Sequence, residues 1–354
     1  MAVSAAFDYK LFSCLWELTL RCNMRCMHCG SVAGTPRDRE LSLDESFRVA
    51  DELVAMGCGE LTFIGGEVFL YPGWERIGRY LSDRGLLVNI MSNGYRFNQR
   101  TIEQITHARL TNVGISVDGL RANHTAIRGR NDAFTEVLAA FGLLNAAGVS
   151  IGVVTSLMEM NYPDLEDLYA LLLEHNVKLW QLQLVNAMGN MADKRDMLIR
   201  RERIPLITDF IREKNKERRM LVVASDNIGY YDDNESRIRG NRSPICCWEG
   251  CQAGISSLYI DSVGDVKGCG AMYARDFIEG NVRARSLTDI WTDAHAFSYN
   301  RGFRTDWLDG DCRGCDVGDV CKGGCRASNF FFGRSLYKNS LCSRVTSRAT
   351  LSSP

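Results

Sequence analysis

The chain has almost no net charge. Its 42 Lys+Arg stand against 43 Asp+Glu, for a balance of -1 and a pI near 6.5. A nucleic-acid partner gripped by a basic patch gets no support from that balance. No run of about 18 apolar residues occurs, so no membrane-spanning helix is expected. The opening Met1-Ala2-Val3-Ser4-Ala5-Ala6-Phe7-Asp8 has neither a basic n-region nor a long apolar h-region, and no secretory signal is read there. With 354 residues, 45% hydrophobic and 24% charged, the composition is that of a globular enzyme with one large domain and a smaller one.

Cysteine is not scarce: there are 14. In a small secreted protein that number would mean disulfides. Here the chain is long, lacks a signal and groups its cysteines at metal-site spacings, so a reducing cytoplasm is the expected compartment. Three of them, Cys22, Cys26 and Cys29, form a CxxxCxxC loop directly after an apolar strand. Thiolates hold iron–sulfur clusters, and a cubane has four irons to ligate. Three cysteines leave one iron open to a substrate or cofactor, as an open position does in catalytic zinc sites. Three thiols with His28 also make a zinc set on paper.

From Ser13 to about Val185, short β-rich runs alternate with amphipathic helices. The strands are Cys14–Leu20, Glu60–Ile64, Leu87–Met91, Val113–Val117, Ile151–Thr155 and Leu179–Leu184. Ser42 to Glu45 reads as a capping box, with Phe47, Ala50 and Val54 on one helix face and Gly57 closing it. Phe134, Leu138, Phe141 and Leu144 recur at helical spacing, and Pro163 opens a helix that turns Leu165, Leu168 and Leu172 inward. Six β/α units in a row argue a parallel sheet with right-handed crossovers. Such folds carry their chemistry at the carboxyl ends of the strands. The cysteine loop, Gly65-Gly66-Glu67, Ser92-Asn93-Gly94 and Ser116-Val117-Asp118-Gly119 all fall there. The expected divisions are 13–190 for this unit, 191–243 for a charged helical linker and 244–345 for a cysteine-rich second domain.

The CxxxCxxC loop, with aromatic His28 before its last cysteine, resembles the radical SAM superfamily. That resemblance implies a partial (β/α)6 TIM-type barrel, open on one side. It also implies a 4Fe–4S cluster on Cys22, Cys26 and Cys29 whose open iron is chelated by S-adenosylmethionine. Gly65-Gly66-Glu67 resembles the family's GGE motif, which binds the methionyl amino group, although Val68 stands where the family usually has proline. Paired glycines let backbone approach a ligand closely. Ser116 and Arg128 resemble a serine that bonds the cofactor and an arginine that pairs with its carboxylate, a use suited to the guanidinium fork. Asn93 is a further ribose candidate, and His124 is read as a helix-start or surface histidine.

Toward the C-terminus, Cys251 is followed by Gly264 with Cys269 five residues on, then Cys312-x2-Cys315-x5-Cys321-x3-Cys325, and Cys342 closes the set. This resembles the SPASM extension of radical SAM enzymes, which holds two auxiliary 4Fe–4S clusters. The resemblance implies one cluster on Cys251, Cys269 and Cys325, completed by Cys246 or Cys247, and a second on Cys312, Cys315, Cys321 and Cys342. Paired zinc ribbons are the rival reading of these spacings. Cys14 and Cys58 sit in apolar contexts and read as buried small hydrophobes.

The resemblance implies reductive cleavage of S-adenosylmethionine and hydrogen abstraction by a 5′-deoxyadenosyl radical, the cofactor carrying the hard chemistry. Its partners would be a reductant such as flavodoxin or ferredoxin, and a substrate. Members with this two-part architecture mostly modify peptides, so modification or cross-linking of a ribosomally made peptide is the leading expectation. Only 13 residues precede Cys14, too few for a fused leader-binding module, so leader recognition, if any, is expected to use a separate leader-binding protein or another surface. Oxidation or rearrangement of a small molecule, an amino-acid derivative or tetrapyrrole, is the alternative. Sulfatase-maturating relatives place an aspartate base after the GxxxxC cysteine, where this chain has Gly270. A non-catalytic metal-binding redox scaffold would cleave no S-adenosylmethionine. No substrate-side acid or base is assigned from the sequence, and Tyr230, Tyr231, Trp248 and Glu249 are read as structural.

Overall fold

The computed structural model describes residues 9–239 and 247–346. One sheet organises them. Its strands are β1 (Ser13–Thr19), β2 (Glu60–Gly65), β3 (Leu87–Ser92), β4 (Asn112–Ser116), β5 (Ile151–Leu157), β6 (Leu179–Leu184), β7 (Leu221–Ala224), β8 (Ser257–Ile260), β9 (Asp265–Lys267) and β10 (Gly280–Asn281). They lie in the order β10-β9-β8-β1-β2-β3-β4-β5-β6-β7. Every neighbour pair from β8 through β7 is parallel, and β9 and β10 are antiparallel additions. β7 and β10 end the order without pairing to each other, the open side expected of a partial barrel.

Parallel strands are covered on both faces, which is why these segments are nearly continuous runs of branched and aromatic residues. Trp16 pairs in register with Phe63 of β2 and Ile260 of β8, and all three are fully buried. Helices α1 (Leu43–Ala55), α2 (Trp74–Ser82), α3 (Gln99–Ala108), α4 (Arg121–Arg128), α5 (Ala133–Ala146), α6 (Leu165–Glu174) and α7 (Arg203–Glu217) supply the crossovers. The Ser42–Glu45 capping box is formed in both directions. The buried stripe of α1 is Ser46, Val49, Ala50 and Leu53, with Phe47 and Val54 only partly covered. The helix is therefore rotated from the expected face, because Phe47 packs edge-on against Tyr80 of α2 rather than into the sheet. On α6, Leu165, Leu168 and Leu172 point inward as read.

Two features were not legible in the pattern. The stretch expected to be a helical linker contains α7 and a seventh parallel strand, β7, which buries Val222 and Ala224 against β6. Four residues between arginines and a polar turn are too short to show a period. The cysteine-rich segment does not stand apart from the barrel either: β8 adds parallel to β1 and draws β9 and β10 onto the same sheet. Among the described residues, no helix is long and apolar enough to cross a membrane.

Candidate functional site

The CxxxCxxC loop leaves β1 and is held by backbone bonds to three parts of the chain. Cys22 N–H donates to Gly34 O, and Met27 N–H donates to Ile127 O at the end of α4. Asn190 clamps it from afar, its Nδ2 on Cys26 O at 2.9 Å and its N–H on Cys29 O at 3.0 Å. Nothing local in the sequence marks Asn190 for this. Cys22, Cys26 and Cys29 line one cavity of about 160 Å³ together with Gly65, Gly66, Asn93, Ser116, His28 and Arg128.

Each of the three sulfurs has a donor aimed at it. Met24 N–H lies 3.4 Å from Cys22 Sγ, Ala33 N–H lies 3.3 Å from Cys29 Sγ, and an Arg128 Nη lies 3.7 Å from Cys26 Sγ. Burial pushes the Cys22 thiol up to about 11 and raises that of Cys26, against the pull of Arg128. As thiols they keep their protons at neutral pH, and a bound cation would displace them.

The strand ends meet the loop differently from what the motifs alone suggest. Gly65 and Gly66 lie on the cavity wall, where a side chain on Gly66 would meet Leu20 O at 2.6 Å. Glu67 does not line that cavity. It is buried, and its carboxylate accepts from Asn93 N–H and Ser92 Oγ, both at 2.9 Å. Burial lifts its pKa to about 7 despite those bonds. Glu67 thus fixes the loop after β3, so that Asn93 Nδ2 reaches Asn23 at 2.7 Å and Cys22 Sγ at 4.0 Å.

Asp118 is the residue the sequence undervalued. It is fully buried, and one carboxylate oxygen stands 2.6 Å from Arg128 Nη2 and 2.9 Å from His28 Nε2. Ser156 N–H donates to the other at 2.9 Å. Burial acts to raise its pKa, but Arg128 and His28 outweigh it and hold the carboxyl well below the usual carboxylate range. The SxDG motif was the available signal. His124, expected at a helix start or surface, is instead fully buried in α4. The turn at Gly119 folds it back so that Nδ1 accepts from Asp118 N–H at 3.0 Å, and burial lowers its pKa to about 3.

The auxiliary cysteines fall into two groups. Cys312, Cys315, Cys321 and Cys342 line a single cavity of about 160 Å³, with Tyr230 and Arg344 among its walls. Burial pushes Cys321 up to about 12 and Cys342 up to about 11, and neighbouring thiols add to both. Cys251, Cys269 and Cys325 are close enough that, after burial, thiol–thiol repulsion raises Cys269 and Cys325. Cys247 lies by Tyr231, whose phenol is pushed up to about 12 by burial and then by Cys247 and Cys321. Cys246 lies outside the described residues. Cys14 and Cys58 are buried. Gly270 packs under Tyr259, where a side chain would meet the ring at 2.6 Å, so no acid fits in the position after Cys269.

These residues fit iron–sulfur ligation. Among the described residues, no three His, Cys, Asp or Glu side chains converge on one ion position. A cubane takes each thiolate on a different iron. Arg128 Nε and His28 Nδ1 are buried with no hydrogen-bond partner among the described residues. Leaving such a group unmade costs about 1–3 kcal/mol, which a polar ligand in the cavity would offset.

Comparison with known proteins agrees. The radical SAM superfamily pattern matches residues 16–172, and that of SPASM, an iron–sulfur cluster-binding domain, matches residues 251–316. The chain is 28% identical over 339 residues to an AdoMet-dependent heme synthase of Oleidesulfovibrio alaskensis, covering 92% of this chain and 86% of that one. It is 27% identical over 328 residues to the mycofactocin maturase MftC of Mycolicibacterium smegmatis, covering 91% and 79%. In fold it is similar to Streptococcus suis SuiB bound to S-adenosylmethionine, with a TM-score of 0.75 at 16% identity, covering 94% and 77%.

Proposed function

The chain belongs to the radical SAM superfamily and carries a SPASM iron–sulfur domain, and from that premise we propose that it oxidises the side chain of an iron tetrapyrrole. Cys22, Cys26 and Cys29 would hold a 4Fe–4S cluster, which would supply the electron for cleavage of S-adenosylmethionine. The chain's own contribution is placement. Asn93, Ser116, Gly65, Gly66 and Arg128 border the cavity that would take the cofactor. The Asp118–His28–Arg128 cluster holds Arg128 beside Cys26. The Cys312/Cys315/Cys321/Cys342 and Cys251/Cys269/Cys325 groups would hold the SPASM auxiliary iron–sulfur clusters. A flavodoxin or ferredoxin would deliver the electron.

The observation that carries the substrate class is the similarity to a heme synthase across both the barrel and the auxiliary region. A ribosomally made peptide is the second reading, favoured by the comparable likeness to a mycofactocin maturase. The test is anaerobic turnover of reconstituted protein with S-adenosylmethionine, dithionite and iron coproporphyrin III, whose propionate side chains offer C–H bonds. A porphyrin of altered mass, formed in step with 5′-deoxyadenosine, is expected. Deoxyadenosine with an unaltered porphyrin would overturn the tetrapyrrole reading and leave the peptide one. Absence of any deoxyadenosine would overturn both.

A further inference from the structure

We propose that Tyr230 is a positioning residue wedged between the two auxiliary cysteine groups, and that its hydroxyl sets the reduction potential of a cluster on Cys251, Cys269 and Cys325; the inference rests on the iron–sulfur reading of both groups. Tyr230 is fully buried and reaches a cysteine of each group. Its hydroxyl accepts from Cys325 N–H at 3.1 Å and donates to Asp226 O. Its carbonyl oxygen lies 3.8 Å from Cys342 Sγ. The residue also borders the cavity that Cys312, Cys315, Cys321 and Cys342 line. One buried cluster of side chains joins Tyr230 to Cys321 and Cys342 of that group and to Cys251 and Cys325 of the other.

The chain holds this tyrosine in place against a conformational penalty. Gly229, Tyr230 and Tyr231 stand in succession at φ +103°, +84° and +60°. That region suits glycine, and a bulky aromatic residue in it is an outlier. Such strain persists only where the surroundings enforce it, and it gathers at functional sites. Here a buried glutamate enforces it. Glu235 Oε2 accepts from Tyr230 N–H and Tyr231 N–H, both at 2.9 Å, and Oε1 accepts from Trp248 N–H at 2.9 Å. Trp248 packs edge-on against the Tyr230 ring, with centroids 5.4 Å apart, and its Nε1 donates to Cys321 O at 3.1 Å. Gly324, just before Cys325, leaves room for the ring: a side chain there would meet Tyr230 Cζ at 3.1 Å. A phenylalanine would satisfy all of this packing. What tyrosine adds is the hydroxyl, and the hydroxyl is the part that bonds the backbone of Cys325.

Cluster potentials follow the hydrogen bonds and partial charges around the ligating cysteines. The Tyr230 oxygen places an electron-rich atom beside Cys325 and occupies its N–H dipole. Both effects oppose the addition of an electron at that group. Taking the oxygen away removes the lone pairs and releases the N–H, so the midpoint of that cluster should rise. The effect should also be local. The contact to Cys342 is made by the Tyr230 carbonyl, which a change of side chain leaves in place. Cys22, Cys26 and Cys29 pack in a separate cluster of side chains around Met24 and Tyr95.

The test compares reconstituted wild type, Tyr230→Phe and Tyr71→Phe by iron count and by redox titration followed with electron paramagnetic resonance. Tyr71 is the control: its buried hydroxyl donates to Leu41 O at 2.9 Å and meets Ser46 Oγ at 3.0 Å. Tyr230→Phe should keep about twelve irons per chain and raise the midpoint of one auxiliary cluster, leaving the other auxiliary midpoint and the core midpoint where they were. The core signal is the one that added S-adenosylmethionine alters. The same rise should persist in a Cys321→Ala background, where the cluster of the other auxiliary group is removed. Tyr71→Phe should lower the melting temperature, as the loss of a buried hydrogen bond does, and move no midpoint. An unmoved or lowered midpoint in Tyr230→Phe, three midpoints moving together, a rise that vanishes with Cys321→Ala, or loss of iron from Tyr230→Phe would each overturn the inference. A wild type that holds only about four irons per chain would sink the auxiliary-cluster reading and the inference with it. About twelve irons with unmoved midpoints would sink the role of Tyr230 alone.

Discussion

Replacing Asp118 by Asn should damage the protein more than any single surface change, and the structure says by how much. Asp118 is fully buried, with Arg128 at 2.6 Å and His28 at 2.9 Å from one carboxylate oxygen. Opposite charges about 4 Å apart interact by about 4 kcal/mol at the effective dielectric of a protein. Removing one partner of a buried pair leaves the other uncompensated, at about 3–5 kcal/mol. Asp118→Asn should therefore lower unfolding stability by about that much at neutral pH. The double variant Asp118→Leu/Arg128→Met should recover most of the loss, because apolar replacement of both partners is often neutral. Urea unfolding of wild type, Asp118→Leu, Arg128→Met and the double variant gives the coupling. The folded carboxyl is held below its unfolded value, so its stabilisation is present above the unfolded pKa and fades as pH falls toward the folded one. The wild-type advantage over D118N should accordingly be full at pH 7 and shrink below about pH 4. A loss under about 1 kcal/mol at pH 7, or no coupling with Arg128, would refute the account.

Other changes separate the parts of the site. Cys22→Ala should remove about four of roughly twelve iron atoms per chain and all cleavage of S-adenosylmethionine, measured by iron assay and chromatography. Cys321→Ala should remove a similar number while the core cluster's paramagnetic signal persists. Gly66→Ala drives a methyl against Leu20 O and Arg21 O of the cysteine loop; a loss of about 1–3 kcal/mol and poor iron loading are expected in urea and reconstitution assays. Gly270→Asp, which restores the acid found in sulfatase-maturating relatives, should destabilise through the Tyr259 ring, and Tyr259→Ala should relieve part of that loss in thermal melts.

Much of the barrel could be read from one dimension. The strands at 87–92 and 179–184 and the capping box at Ser42 depend on local alternation, helical spacing and short-range hydrogen bonds, which neighbouring residues express. That Gly65, Gly66, Asn93 and Ser116 face one cavity was legible because strand ends carry them, whereas Arg128 reaches it from the last turn of α4. β7 was not, since four residues cannot display a period. Nor were the burial of His124 and the pairing of Asp118, because both depend on how the turn at Gly119 folds back over α4.

The order of residues by itself determined where thiols recur and which strands they follow, since ligand spacing and side-chain period are properties of the chain. Only tertiary structure decided that Glu67 secures the loop after β3 rather than facing the cavity, that Asn190 clamps the cysteine loop, and that the Tyr230 hydroxyl joins Cys325 N–H to Asp226 O. Those assignments depend on which distant donors reach a buried carboxylate or carbonyl. Burial makes such partners obligatory, but sequence distance does not say which residue will meet the need.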